Sequence, residues 1–124
     1  DFRVGGWLGF EKVNLEAIID LHDIRSLSTF GAGFLQDINS WIFMPQQLEF
    51  FISENGSDYL SAAIIKNDVP LDKEGTIVKT FETKTAPVKA RFVKVVATNI
   101  GNCPPGHKGQ GAAAWMFADE IIIN

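Results

Sequence analysis

Residues 90–97, Ala90-Arg91-Phe92-Val93-Lys94-Val95-Val96-Ala97, are the segment whose reading decides the fold. β-branched and aromatic side chains dominate it, so it reads as a strand. Arg91 would then share a face with Val93 and Val95, and an inward arginine is tolerable only when paired. Asp119 or Glu120 in the last apolar run is the expected partner. Downstream, a loop from Asn99 to about Ala113 holds four glycines and two prolines and leads into a final strand, Trp115 to Ile123. Upstream, Ala86-Pro87 should break the chain from a preceding strand, Thr76 to Thr83.

Strand signals recur further towards the N-terminus. Leu15, Ala17, Ile19 and Leu21 alternate as one face of a half-buried strand. His22-Asp23 is a turn candidate before a second run, Ile24 to about Phe30, with Gly31 and Gly33 beyond it as possible bend points. Leu48, Phe50 and Ile52 alternate again, and Ser53 to Asp58 forms a turn into Tyr59 to Ile65, so a hairpin is predicted. Residues 67–75 have loop composition. No amphipathic helix emerges. Roughly seven or eight short strands with evenly spaced turns indicate an all-β, antiparallel sandwich or jelly roll.

The bulk numbers agree with one independent domain. A chain of 124 residues with 46% hydrophobic and 21% charged content can bury a core unaided. No apolar run approaches the length of a membrane-spanning helix. Eleven basic against fifteen acidic residues give a net charge of -4. No two basic residues are adjacent, which argues against nucleic acid and anionic membrane surfaces as partners. A single cysteine, Cys103, excludes an internal disulfide framework. The chain opens at Asp1 without a leader and is expected to be a piece of a longer protein.

Few residues suggest catalysis. Cys103 and His107 lie four apart, but two ligands do not make a zinc site and nothing marks the thiol as activated, so an inert loop cysteine is expected. His22 is expected to be solvated. Asn55-Gly56-Ser57 matches a glycosylation acceptor, yet a hairpin turn explains it fully. Two segments look like more than scaffold. One is Phe34-Leu35-Gln36-Asp37-Ile38-Asn39-Ser40-Trp41-Ile42-Phe43-Met44-Pro45, in which Asp37 to Trp41 should be an exposed turn. The other is the loop carrying Asn99, Asn102, His107, Lys108 and Gln110, which is long enough to imply a role.

Taken together, GGWLGFEKVNLEAIIDL, FLQDINSWIFMP, LEFFISENGSDYL and ARFVKVVATNIGNCPPGHKGQGAAAWMFADEIIIN resemble discoidin-like (coagulation factor 5/8 type C) domains. The resemblance is strongest to the accessory domains at the C-terminus of β-N-acetylhexosaminidases (chitobiases) of Bacteroidetes. It implies a jelly-roll sandwich without catalytic activity, spanning residues 1–124 as one domain whose own N-terminal loop is cut short. It also implies a parent glycoside hydrolase that is secreted, periplasmic or on the cell surface. A structural calcium is part of the resemblance, with Glu120 at its acidic position. Where these relatives tend to carry Pro-x-Trp-His, this chain has Pro104-Pro105-Gly106-His107.

Two functions remain open at this point. In the first, the domain binds a GlcNAc- or GalNAc-containing glycan, with Trp41 covering a sugar face and Asp37, Asn39, Asn102 and His107 reading its hydroxyls. In the second, the domain packs on the catalytic domain of the same chain and binds nothing, and Trp41 is a packing residue. Exposure of the indole separates them. An adhesion role at membranes is disfavoured by the acidic balance.

Overall fold

The computed structural model describes residues 2–4 by their backbone and residues 6–124 in full. Among the described residues seven strands follow one another: β1 (Phe2–Val4), β2 (Leu8–Glu11), β3 (Leu15–Gln36), β4 (Gln47–Ser53), β5 (Leu60–Lys66), β6 (Ile77–Ala97) and β7 (Trp115–Ile123). A 3-10 turn, Ile38–Ser40, interrupts the chain after β3. The named strands pair antiparallel, in the order β1-β7-β3-β6-β4-β5 with β2 also on β7.

Hydrogen bonding makes this one sheet, but packing folds it into a sandwich. The β7 strand meets β3 only along Phe30 to Leu35, whereas β4 meets β6 only along Phe92 to Ala97. Leu15, Ile19, Leu48, Phe50, Val93 and Val95 come from the second region, and Phe30, Phe34, Phe81, Met116 and Ala118 from the first, yet all belong to one buried core. The Phe30 and Phe50 rings, which share no strand pairing, meet with centroids 5.5 Å apart. The two halves therefore lie face to face, and removing either ring would cost about 3–5 kcal/mol.

The fold line runs through β3 and β6 at a register shift between Asp20 and Arg25. His22, with φ at 72°, bends the strand there. Asp20 Oδ1 accepts the His22 amide at 2.8 Å and Arg91 Nε at 2.9 Å, and Asp20 Oδ2 accepts Arg91 Nη2 at 3.0 Å. Arg91, through its hydrogen bonds above all, and the His22 amide hold the Asp20 carboxyl down to about 2.

This corrects the expectation for Arg91. Burial passes from Ala90 straight to Val93, so the bulge turns Arg91 out of the inward row and its side chain is 41% exposed. It pairs with Asp20, not with Asp119 or Glu120. His22-Asp23 is likewise no turn, since β3 runs through it. Nor does Ala86-Pro87 end a strand: Thr29 pairs with Lys84 and Leu27 with Val88, so Pro87 sits in a bulge where its missing N–H leaves no gap in the ladder. Two strands are consequently long, at 22 and 21 residues, in place of several short ones. Gly31 has a steric reason, because a Cβ there would lie 2.7 Å from the Phe81 carbonyl oxygen.

Candidate ligand cleft

Three connections gather at one end of the sandwich: residues 37–46, 67–76 and 98–114. Two side-chain amides tie them down. Gln36, fully buried, donates from Nε2 to the carbonyls of Pro70 (3.0 Å) and Lys73 (3.3 Å), while its Oε1 accepts the Met44 amide at 3.2 Å. Asn99 donates from Nδ2 to the carbonyls of Phe10 (3.0 Å) and Val13 (3.2 Å), and its Oδ1 accepts the Gly101 amide at 2.8 Å. The Gln36 amide thereby satisfies backbone groups that lie outside the strands, and Asn99 ties its own connection to β2 and the segment between β2 and β3. Lys79 pairs with Asp68 beside the second connection, holding that carboxyl below its usual range.

The third connection is a compact lobe. The Cys103 amide donates to the Ala112 carbonyl at 2.8 Å, and Asn102 bridges to Ala113. A second small core, Ile38, Phe43, Cys103 and Ala114, lies beneath it, with Trp41 and Ile100 packed against it. Cys103 is 3% exposed and burial pushes its thiol up, which fits the inert reading.

His107 is the keystone of this lobe. Its Nδ1 accepts the Gly109 amide at 2.9 Å, so the ring proton sits on Nε2 and is donated to the Ile38 carbonyl at 2.6 Å. Its ring stands edge-on to Trp41 and Phe43, with centroids 5.5 and 5.2 Å away. Both nitrogens are spent within the chain, so His107 serves neither as a base for Cys103 nor as a reader of ligand hydroxyls.

Between these connections opens a cleft of about 720 Å³, lined by Ile38, Asn39, Leu71, Asp72, Glu74, Pro104, Pro105, Gly106, His107 and Lys108. Leu71 and Pro104 also border a neighbouring depression of about 340 Å³ that includes Gln46, Asn67, Ile100 and Asn102. Of the residues singled out from the sequence, Asn39 and His107 therefore line the cleft, and Asn102 lies next door. Asp37 does not line it. Its backbone pairs with Ile42 and its carboxylate receives the Ser40 hydroxyl at 3.4 Å.

Trp41 is placed behind the cleft. It adopts a left-handed backbone (φ 62°) at the end of the 3-10 turn and is half-buried. Gly109 lies so close that a Cβ would overlap the indole nitrogen, and the Lys108 ammonium sits 4.9 Å from the ring centroid. The indole is covered by the lobe and is no free platform.

The wall formed by Leu71, Asp72 and Glu74 was not singled out from the sequence, where these residues read as plain loop. Their only signal was two carboxylates in a segment flanked by Pro70 and Gly75. Both carboxylates rise from the same connection, whereas glycosidic cleavage needs two that flank the bond. The cleft offers hydrogen bonds and apolar cover, which is binding chemistry. Glu120, on β7, belongs to no group of three or more acidic, histidine or cysteine side chains among the described residues. The side chains of residues 1–5, where the expected ion loop would begin, lie outside the described residues.

No family model and no curated protein matches the chain. Solved structures similar to it include CpGH89CBM32-5 from Clostridium perfringens, determined in complex with GalNAc-β-1,3-galactose, at 19% identity and a TM-score of 0.48. Another is the C-terminal domain of a chitobiase from Bacteroides fragilis, at 17% identity and a TM-score of 0.43. The matches cover 84% and 90% of this chain but 63% and 66% of those chains, less than two thirds in each case.

Proposed function

We propose that this domain is a non-catalytic carbohydrate-binding module that holds a parent glycoside hydrolase, of hexosaminidase or chitobiase type, near hexosamine-containing glycans. One observation carries the reading: the cleft at the loop end combines apolar surface from Ile38, Leu71, Pro104 and Pro105 with polar groups from Asn39, Asp72, Glu74 and Lys108. A pyranose has that same division between C–H faces and hydroxyl rim. The resemblance of the sequence motifs to discoidin-like accessory domains supports the same class, and with it a secreted or envelope location. No helix among the described residues is long and apolar enough to cross a membrane.

With Trp41 covered, apolar contact in the cleft is limited. About 100 Å² at about 25 cal/mol/Å² contributes roughly 2.5 kcal/mol, and two hydrogen bonds at about 1 kcal/mol each bring the total to roughly 4.5 kcal/mol, so Kd values on the order of 0.1 to 1 mM are expected. Calorimetric titration with GlcNAc, GalNAc and their oligomers tests this. Asn39→Ala and Asp72→Ala should weaken binding, and heat-silent titrations with every hexosamine ligand would remove the proposal.

The Trp41 geometry also favours a second reading, in which the domain only packs on its parent's catalytic domain. It predicts no glycan binding together with a raised melting temperature for the parent enzyme when the domain is attached.

A further inference from the structure

The outer face of the β7 half carries aromatic surface that the loop-end cleft does not use. Gly9, Phe117, Leu35 and Val78 are successive cross-strand partners on β2, β7, β3 and β6, so they form one row across four strands. Three strand spacings make that row about 14 Å wide. Met116 and Ala118 are buried, which turns Trp115 and Phe117 outward. Their ring centroids are 5.9 Å apart at 52°. Val78, at the end of the row, is 61% exposed, and Trp7, two residues before Gly9, is 47% exposed.

Gly9 sets how the rings lie. A Cβ there would come within 3.1 Å of the Phe117 ring and 3.3 Å of the Trp115 ring. Both rings thus rest across the bare backbone of β2. Three other partly exposed rings have a cation over them: Lys94 near Phe51, Arg91 near Phe92, Lys108 near Trp41. Among the described residues no cation covers Trp115 or Phe117. The Trp115 indole N–H meets no described acceptor and is not sealed from water.

We propose that this face is a second glycan surface, on which Trp115 and Phe117 take the C–H faces of sugars in an extended hexosamine polymer. Its ligand class rests on the carbohydrate-binding reading of the domain. Glu11 faces Trp115 across the strand pair and Asp119 follows Phe117 on the same face, placing acceptors for hydroxyls beside the rings. Those carboxylates also disfavour a second copy of this chain as occupant, because two such faces would oppose like charges. A flat polymer surface suits a platform about 14 Å wide, while free sugar ends suit the concave cleft.

The test separates the two sites. Retention on insoluble chitin and calorimetric binding of soluble N,N'-diacetylchitobiose are measured for the wild type, Asn39→Ala, Trp115→Leu and Phe117→Leu, with folding checked by thermal melts. Leucine keeps bulk at each position, and Trp7→Ala serves as an exposed variant that should fold unchanged. The proposal expects Trp115→Leu and Phe117→Leu to lower chitin retention about tenfold, the scale of one lost stacking contact, with soluble binding unchanged. Asn39→Ala should do the reverse. Wild-type retention in folded Trp115→Leu and Phe117→Leu overturns the sheet-face site alone. Absence of both kinds of binding in the wild type overturns both sites. A dimer that Trp115→Leu dissociates and chitin does not displace would assign the face to self-association instead.

Discussion

Replacing Gln36 by leucine should loosen the loop end without touching any residue that lines the cleft. The side chain is fully buried and makes three hydrogen bonds, two donated to the carbonyls of Pro70 and Lys73 and one accepted from the Met44 amide. Each bond is worth about 1 kcal/mol net, and the buried Met44 amide left without a partner adds a penalty of about 1–3 kcal/mol. Leucine fills most of the volume and recovers part of this by apolar burial, so a net loss of roughly 2–4 kcal/mol is expected. For a domain of this size that lowers Tm by about 8–15 °C. Chemical denaturation followed by tryptophan fluorescence gives the free energy directly. Because the lost bonds hold the backbone under Leu71, Asp72 and Glu74, glycan affinity should fall as well. Gln36→Glu gives a signed control: a buried carboxylate facing two carbonyls is disfavoured, so its pKa rises. The variant's deficit should then be larger at pH 7 than below about pH 4, where the acid can donate again. A Gln36→Leu protein within about 0.5 kcal/mol of wild type would refute this account of how the loops are held.

Two further outcomes follow from the geometry. Asp20→Asn removes the charge from the Arg91 pair at the fold line and should lower Tm at neutral pH. The carboxyl is held at about 2 against an ordinary 3.8, so its contribution is present above about pH 4 and lost as pH falls towards 2. The melting temperature of Asp20→Asn should therefore depend less on pH than that of wild type across this window. Gly109→Ala places a methyl against the Trp41 indole nitrogen and should destabilise by about 1–3 kcal/mol while shifting tryptophan emission to the red. Unchanged emission and stability would mean that the lobe does not cover the indole in solution.

The strand faces were legible because period-two alternation reports burial directly. Leu15, Ile19 and Leu21 are buried and Glu16 and Ile18 exposed, as the alternation requires, and the last strand runs from Trp115 to Ile123. The two long strands were not legible. His22-Asp23 and Ala86-Pro87 carry the chemistry of a turn, a positive φ and a missing N–H, but the same chemistry serves a bulge. Only a continuing partner strand tells the two apart, and that partner lies far off in sequence. Arg91 follows from this, since a bulge resets which face each residue takes.

At the site, Asn39 and His107 could be picked out as polar residues in conspicuous loops. The cover over Trp41 could not, because Gly109 supplies it from another connection. Nor could the wall at Leu71 to Glu74, which is positioned by a glutamine at the end of β3. Local composition describes a loop's own chemistry and says little about what a distant side chain does to it.

The passage of β3 and β6 through both layers has a consequence for how the molecule comes apart. Each layer takes two adjacent strands from the same two continuous chain segments, so neither can detach and leave the other intact. Separation would have to start by peeling the outer strands, β5 from one margin or β1 and β2 from the other, and could not proceed by sliding layer past layer. Under load or denaturant the domain should therefore hold as a unit and then yield in one step, with no half-sandwich along the way.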